Sequence, residues 1–199
     1  KKDVTEEEYN SFYREKFFDY NKPLRTIHTS AEGSVSFKAL LYIPEKAPFD
    51  EVARVSGLKA AALNAAPDDV VVAADTIVVC EGKVLGKPRD EADAVSMLRL
   101  LSGRDHQVMT GVTVLHSGKE AVFTEVTDIH FRPLSQKEIE AYVATGEPMD
   151  KAGSYGIQGG AALFCTHMVG DYYNVMGLPV CRLGQVLREM APDLMGDML

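Results

Sequence analysis

Val70-Val71-Val72-Ala73-Ala74-Asp75-Thr76 is the stretch on which the fold turns. Residues 70–74 are a continuous apolar run of strand length that follows a turn. Such a run suits a strand buried on both faces, as in a parallel α/β sheet. An acid at the carboxyl end of such a strand stands where open α/β sheets place their ligands. Asp75 is therefore the leading candidate for chemistry, as a cation ligand or as the acceptor of a proton from water. A turn-forming aspartate next to Thr76 fits the same residues, and the pattern alone leaves both readings open.

Working outward, a helix carrying Val52, Val55, Leu58, Lys59 and Ala62 precedes this strand and closes near Pro67. Lys59 interrupts its apolar stripe, either as a functional cation or as a lysine snorkelling along alanine neighbours. After the strand, residues 77–80 and Val84-Leu85 flank a turn at Glu81-Gly82-Lys83, and residues 90–101 read as a helix with Val95, Leu98 and Leu101 inward. Residues 106–115 and 121–131 alternate as two long strands joined at Ser117-Gly118. Ser135-Gln136-Lys137-Glu138 is a capping box opening a helix through Val143. A glycine-rich stretch at 153–160 leads into a predicted strand at 161–164. A last helix from about Val180 sets Leu183, Leu187 and Met190 on one stripe. The expected class is α/β with an antiparallel component.

The first fifty residues have a different texture. Residues 6–18 place Tyr9, Phe12, Tyr13 and Phe17 on one helical face, residues 25–30 and 34–43 read as two strands, and residues 44–50 are the candidate boundary.

Bulk properties narrow the function classes. A hydrophobic fraction of 46% provides for a real core, and a formal net charge of -8 argues against a nucleic acid polymer as partner. The apolar runs are far short of a membrane span, and no signal peptide is legible, which together predict a cytoplasmic protein. Three widely spaced cysteines, Cys80, Cys165 and Cys181, read as small core hydrophobes. His106, His116, His130 and His167 share no metal-site spacing and read as ordinary strand or loop histidines. No GxxxxGK[ST], GxGxxG or GxSxG occurs, so P-loop, Rossmann and α/β-hydrolase chemistry are not indicated.

Two further segments hold polar residues fit for a site. In Gly86-Lys87-Pro88 the proline stiffens a loop whose lysine is either a phosphate contact or a solvated surface charge. In Tyr155-Gly156-Ile157-Gln158-Gly159-Gly160 the glycines permit close backbone approach, and the Gln158 amide both donates and accepts. A plain loop is the equal alternative there. Asn174, in Gly170-Asp171-Tyr172-Tyr173-Asn174, reads as a helix or turn cap.

With Leu101-Ser102-Gly103-Arg104, Thr110-Gly111-Val112, Tyr142-Val143-Ala144-Thr145-Gly146-Glu147-Pro148, Asp150-Lys151-Ala152-Gly153-Ser154 and Val175-Met176-Gly177-Leu178-Pro179, these segments resemble the Maf family of nucleotide pyrophosphatases. The resemblance runs from about Glu51 to Ala191. It implies a Maf/ITPase-like mixed twisted sheet flanked by helices, in a truncated domain over 51–199. It further implies a Mg²⁺- or Mn²⁺-dependent enzyme of the branch preferring dTTP and UTP, a family that also bears the label of a septum-formation inhibitor. By residue matching, Asp75 is the proton acceptor and metal-linked acid, Lys59 and Lys87 are phosphate contacts, and Thr76 and Gln158 set specificity. The partners implied are a nucleoside triphosphate and, as a homodimer, a second copy of the chain. The family's first strand and its Ser-x-Ser-Pro-Arg-Arg phosphate-binding segment are absent from residues 1–50. A nucleotide-binding protein on the same scaffold, impaired in turnover, is accordingly the alternative expectation. Residues 1–50 instead resemble the start of the middle domain of bacterial-type 90-kDa heat-shock chaperones, through Thr5-Glu6-Glu7-Glu8-Tyr9 and Leu40-Leu41-Tyr42-Ile43-Pro44. The chain thus reads as a chimera.

Overall fold

The computed structural model describes residues 48–66 and 68–195. The readings made for residues 1–47, and the helix stop at Pro67, lie outside the described residues. Helix α1 (Pro48–Ala61) begins three residues before the expected boundary at Glu51. Proline suits the first helical turn, where an N–H has no partner to lose. Asp50 and Glu51 at its start and Lys59 in its last turn complement the helix dipole.

The sheet holds five strands in the order β2-β1-β3-β4-β5: β1 (Val70–Cys80), β2 (Lys83–Leu85), β3 (Asp105–His116), β4 (Lys119–Phe131) and β5 (Cys165–Val169). Every pairing among the described residues is antiparallel. The expectation of a parallel strand ending at Ala74 is thereby corrected. Residues 70–80 form one continuous strand, and Asp75 sits in its middle, opposite Gly111. Local turn chemistry explains two of these pairings, β1 with β2 and β3 with β4. Glu81-Gly82 and Ser117-Gly118 are two-residue connections with positive φ at both positions, 50° and 74° in the first and 47° and 75° in the second. That geometry matches the natural twist of a hairpin.

The two faces of the sheet are covered differently. On one face lies α1, whose Val52, Val55, Ser56 and Ala60 are buried. The helix descends onto Gly111, where an added Cβ would stand 2.3 Å from the Val52 carbonyl carbon. Only a residue without a side chain permits this approach. The Ser56 and Thr113 hydroxyls hydrogen-bond at 2.8 Å within the contact.

The other face carries the main core, in which Val78, Leu98, Leu101, Val108, Ile129, Phe131 and Ile139 are buried. It is covered by α2 (Glu91–Leu101), α3 (Gln136–Val143) and three short 3-10 turns. Farther along the strands, α5 (Val180–Met190) buries Leu183 against Val112 and Val114. Asp90 caps α2 through the Asp93 N–H, and Ser135 with Glu138 forms the expected capping box of α3. On α2 the buried positions are Ala94, Leu98 and Leu101, with Val95 only partly covered.

Three local expectations need correction. Residues 161–164 are not a strand: Gly160–Leu163 is a 3-10 turn, and the strand follows it as β5. Asn174 is no cap, since it lies fully buried within the short helix α4 (Tyr172–Val175), which Asp171 caps. Cys80 is buried as expected, whereas Cys181 is exposed on α5. Among the described residues no helix is long and apolar enough to cross a membrane.

Candidate active site

Lys59 stands seven residues after Val52, two helical turns along the same stripe, so its side chain leaves α1 toward the sheet rather than toward water. Its ammonium donates to the Ala74 carbonyl at 2.9 Å and to Asp75 Oδ1 at 2.7 Å. Neither partner is fully exposed, with side-chain exposures of 31% for Lys59 and 22% for Asp75. Gly111 makes the pairing sterically available. It faces Asp75 across the β1–β3 ladder, and its missing side chain lets α1 settle low enough for the lysine to reach.

Burial pushes the Asp75 carboxyl above its ordinary value, and the nearby Glu51 charge pushes the same way. The Lys59 charge and hydrogen bond, with a smaller contribution from Lys87, oppose that rise without cancelling it. Asp75 Oδ1 is committed to Lys59, while Oδ2 makes no hydrogen bond to the described residues. The result is a basic carboxylate oxygen held in fixed orientation, as proton transfer from a bound water requires.

Lys87 lies exposed in the loop after β2. The Gly86 carbonyl accepts from the Gly153 N–H at 3.0 Å, which pins the loop to the neighbouring 3-10 turn. The Lys87 charge lowers the pKa of both Asp75 and Asp150, so it lies within electrostatic reach of the two carboxylates.

The remaining two candidates are placed elsewhere. Thr76 follows Asp75 in the strand and therefore faces the opposite side of the sheet. There its hydroxyl meets that of Thr110 at 2.8 Å, and Thr110 in turn donates to the Asn174 carbonyl at 3.0 Å. Gln158 is exposed, and its amide makes no hydrogen bond to the described residues.

The glycines around Gln158 have a structural task. Glu147 accepts from Tyr142 Oη at 2.8 Å and from the Gly160 N–H at 3.1 Å, and an added Cβ at Gly159 would lie 2.0 Å from its carboxylate. The loop is thus wrapped around a carboxylate of the protein itself.

Three features escape a linear reading. Glu51 lies close enough to influence Asp75, although it is also the ion-pair partner of Arg54. Asn174 donates to the Val108 carbonyl at 3.1 Å and to Thr127 Oγ1 at 2.9 Å, tying the 171–177 segment to β3 and β4. Its Oδ1 is buried and has no hydrogen-bond partner among the described residues. The histidines read as ordinary include His130 and His167, which cross-strand register sets beside Asp105. Counting outward from the Ser117-Gly118 turn would have found the first of these pairings, because a two-residue hairpin fixes register.

The chain matches the family described as Maf-like protein over residues 10–190. A protein of Carboxydothermus hydrogenoformans named dTTP/UTP pyrophosphatase is 55% identical over 124 residues, covering 61% of this chain and 67% of the relative. A Bacillus cereus protein of the same name is 50% identical over 127 residues, 64% of this chain and 66% of the relative. One from Symbiobacterium thermophilum, again so named, is 52% identical over 143 residues, 71% and 74% of the two chains. The first two matches thus span about two thirds of the relatives' own length.

Proposed function

We infer that this chain, which belongs to the Maf-like protein family, hydrolyses nucleoside triphosphates such as dTTP and UTP to the monophosphate and pyrophosphate. The observation that carries the reading is the Lys59–Asp75 pair, a carboxylate made more basic by burial yet fixed by a lysine at 2.7 Å. In the proposed step a water oxygen bonds to the α-phosphorus while its proton passes to Asp75 Oδ2. The bond from that phosphorus to the bridging oxygen breaks, and pyrophosphate departs. Lys87 and the outer side of Lys59 offset phosphate charge as it redistributes.

The donor set fits a hard divalent cation such as Mg²⁺ or Mn²⁺. Asp75 has one carboxylate oxygen uncommitted, and Glu51 places a second carboxylate charge nearby. Such an ion would be held by Asp75 through the ion's own bound water and would supply positive charge against the triphosphate. Thr76 and Gln158 serve base selection in different ways. Thr76 acts through the 171–177 segment, which the threonine and asparagine network anchors. The exposed Gln158 amide both donates and accepts, which matches the carbonyl and N–H edge of thymine or uracil.

The test is a product assay with dTTP and UTP. Pyrophosphate is the expected product, with orthophosphate appearing only when a pyrophosphatase is added. Asp75→Asn is expected to lower the rate by roughly 10²-fold or more. Orthophosphate as the direct product, or an unimpaired Asp75→Asn enzyme, would overturn the reading.

A further inference from the structure

At the far end of the α1-side face, three strands contribute one residue each to a single cross-strand row. Asp105 opens β3, His130 lies opposite it on β4, and His167 lies opposite His130 on β5. Side chains of directly paired residues share a face and stand close together. The potential ligand atoms of the three all lie within 4.8 Å of one another. His130 Nδ1 is 2.7 Å from Asp105 Oδ1, and the two imidazoles stack with centroids 5.1 Å apart and planes inclined by 9°. A register irregularity at His130/Phe131 marks the same place, and β-bulges are one means of re-aiming side chains along a strand. The Thr166 hydroxyl, beside the irregularity, donates to the His130 carbonyl at 3.2 Å.

We propose that Asp105, His130 and His167 form a binding site for a borderline transition-metal ion, with Zn²⁺ as the reference ligand. Two imidazoles and one carboxylate are the donors that Zn²⁺, Co²⁺ and Ni²⁺ take, whereas Mg²⁺ and Ca²⁺ favour oxygen throughout. A tetrahedral ion at about 2.0–2.2 Å from each donor needs ligand atoms roughly 3.5 Å apart. Exposed side chains on fixed strands reach that spacing by rotation, and Asp105 and His167 are both exposed. Three protein donors leave a position for water. An ordinary ion pair would account for Asp105 and His130, but it gives no part to His167, stacked on the far side of His130.

The site is separate from the proposed catalytic pair. Asp105 lies six residues along β3 from Gly111, the partner of Asp75, or about 20 Å at strand rise. The structural consequence falls on β5, a five-residue strand that pairs only with β4 among the described residues. An ion bound by all three residues would fasten β5 across β4 to β3, and so steady the connection into α4.

The experiment is calorimetric titration of the full chain with ZnCl₂ in the presence of excess Mg²⁺, accompanied by histidine ring NMR. One equivalent of Zn²⁺ is expected to bind, with the His130 and His167 resonances moving together. His130→Gln and His167→Gln are each expected to weaken binding by roughly tenfold or more, and the double variant to abolish that equivalent. His116→Ala, at the opposite end of β3, is expected to bind as the parent does. Asp105→Asn supplies a substitution outside the imidazoles should either histidine variant fold poorly. Failure of the parent to bind Zn²⁺, its displacement by Mg²⁺, or undiminished binding in the double variant would overturn the proposal.

Discussion

At Asp75 two opposing influences meet, and their balance is open to experiment. Burial raises the carboxyl pKa, while the Lys59 ammonium at 2.7 Å holds the rise in check. A general base works only when deprotonated, so activity falls as pH drops through its pKa. Lys59→Gln removes the larger of the two lysine influences and leaves burial in place. The acid limb of the kcat/KM profile is therefore expected to move to higher pH in that variant. A lysine that only bound phosphate would raise KM and leave the limb where it is. Titration of kcat/KM against pH for parent and variant separates the two roles.

Among the elements, the contact between α1 and the sheet governs how the site is assembled. A methyl group at residue 111 would stand 2.3 Å from the Val52 carbonyl carbon and 2.5 Å from the Ala53 nitrogen, both backbone atoms that no rotamer change can move. Gly111→Ala is expected to lift α1, cost about 2–3 kcal/mol of stability and lengthen the Lys59–Asp75 contact. Urea denaturation reads the first effect and the pH profile the second. This contact also explains what was legible in the sequence. The alternation of β3 and β4, the capping box at Ser135 and the α5 stripe are local patterns, and each was readable. The apolar run that marks β1 stops at Ala74 because Asp75-Thr76 is polar, and the charge that compensates Asp75 comes from another element. The helix bearing Lys59 gives no local sign of which strand it will meet. Similarly, Ala161-Ala162-Leu163-Phe164 is apolar enough for a strand, but Gly160 opens a tight turn there instead. Pairwise geometry between distant segments was the missing information, for Asp75 with Lys59 and for His130 with His167 alike.

For the molecule as a whole, the larger core contains a titratable ring whose charge state is linked to global unfolding. His106 is 3% exposed, packs edge-on against Phe131 at 4.8 Å and shares a 2.9 Å hydrogen bond with Tyr155 Oη. Burial lowers its pKa from 6.5 to about 4, because charging the ring there forfeits its hydration. In the unfolded chain the ring regains its ordinary value near 6.5. The sign follows from proton binding. Above pH 6.5 neither state is protonated at this site, and its contribution to stability is constant. Between 6.5 and about 4 the unfolded state takes up a proton that the folded state refuses, so stability declines as pH falls. Below about 4 both states carry the proton and the contribution levels off. The difference between the two values corresponds to about 3 kcal/mol across the window. Acid unfolding sums contributions from many groups, so the parent curve alone cannot isolate the effect. His106→Gln keeps a neutral polar side chain and removes the titration. Subtracting its urea-unfolding free energies from those of the parent, from pH 7.5 to 4, is expected to leave a curve that falls by that amount. A flat difference would mean that His106 accepts its proton inside the folded core.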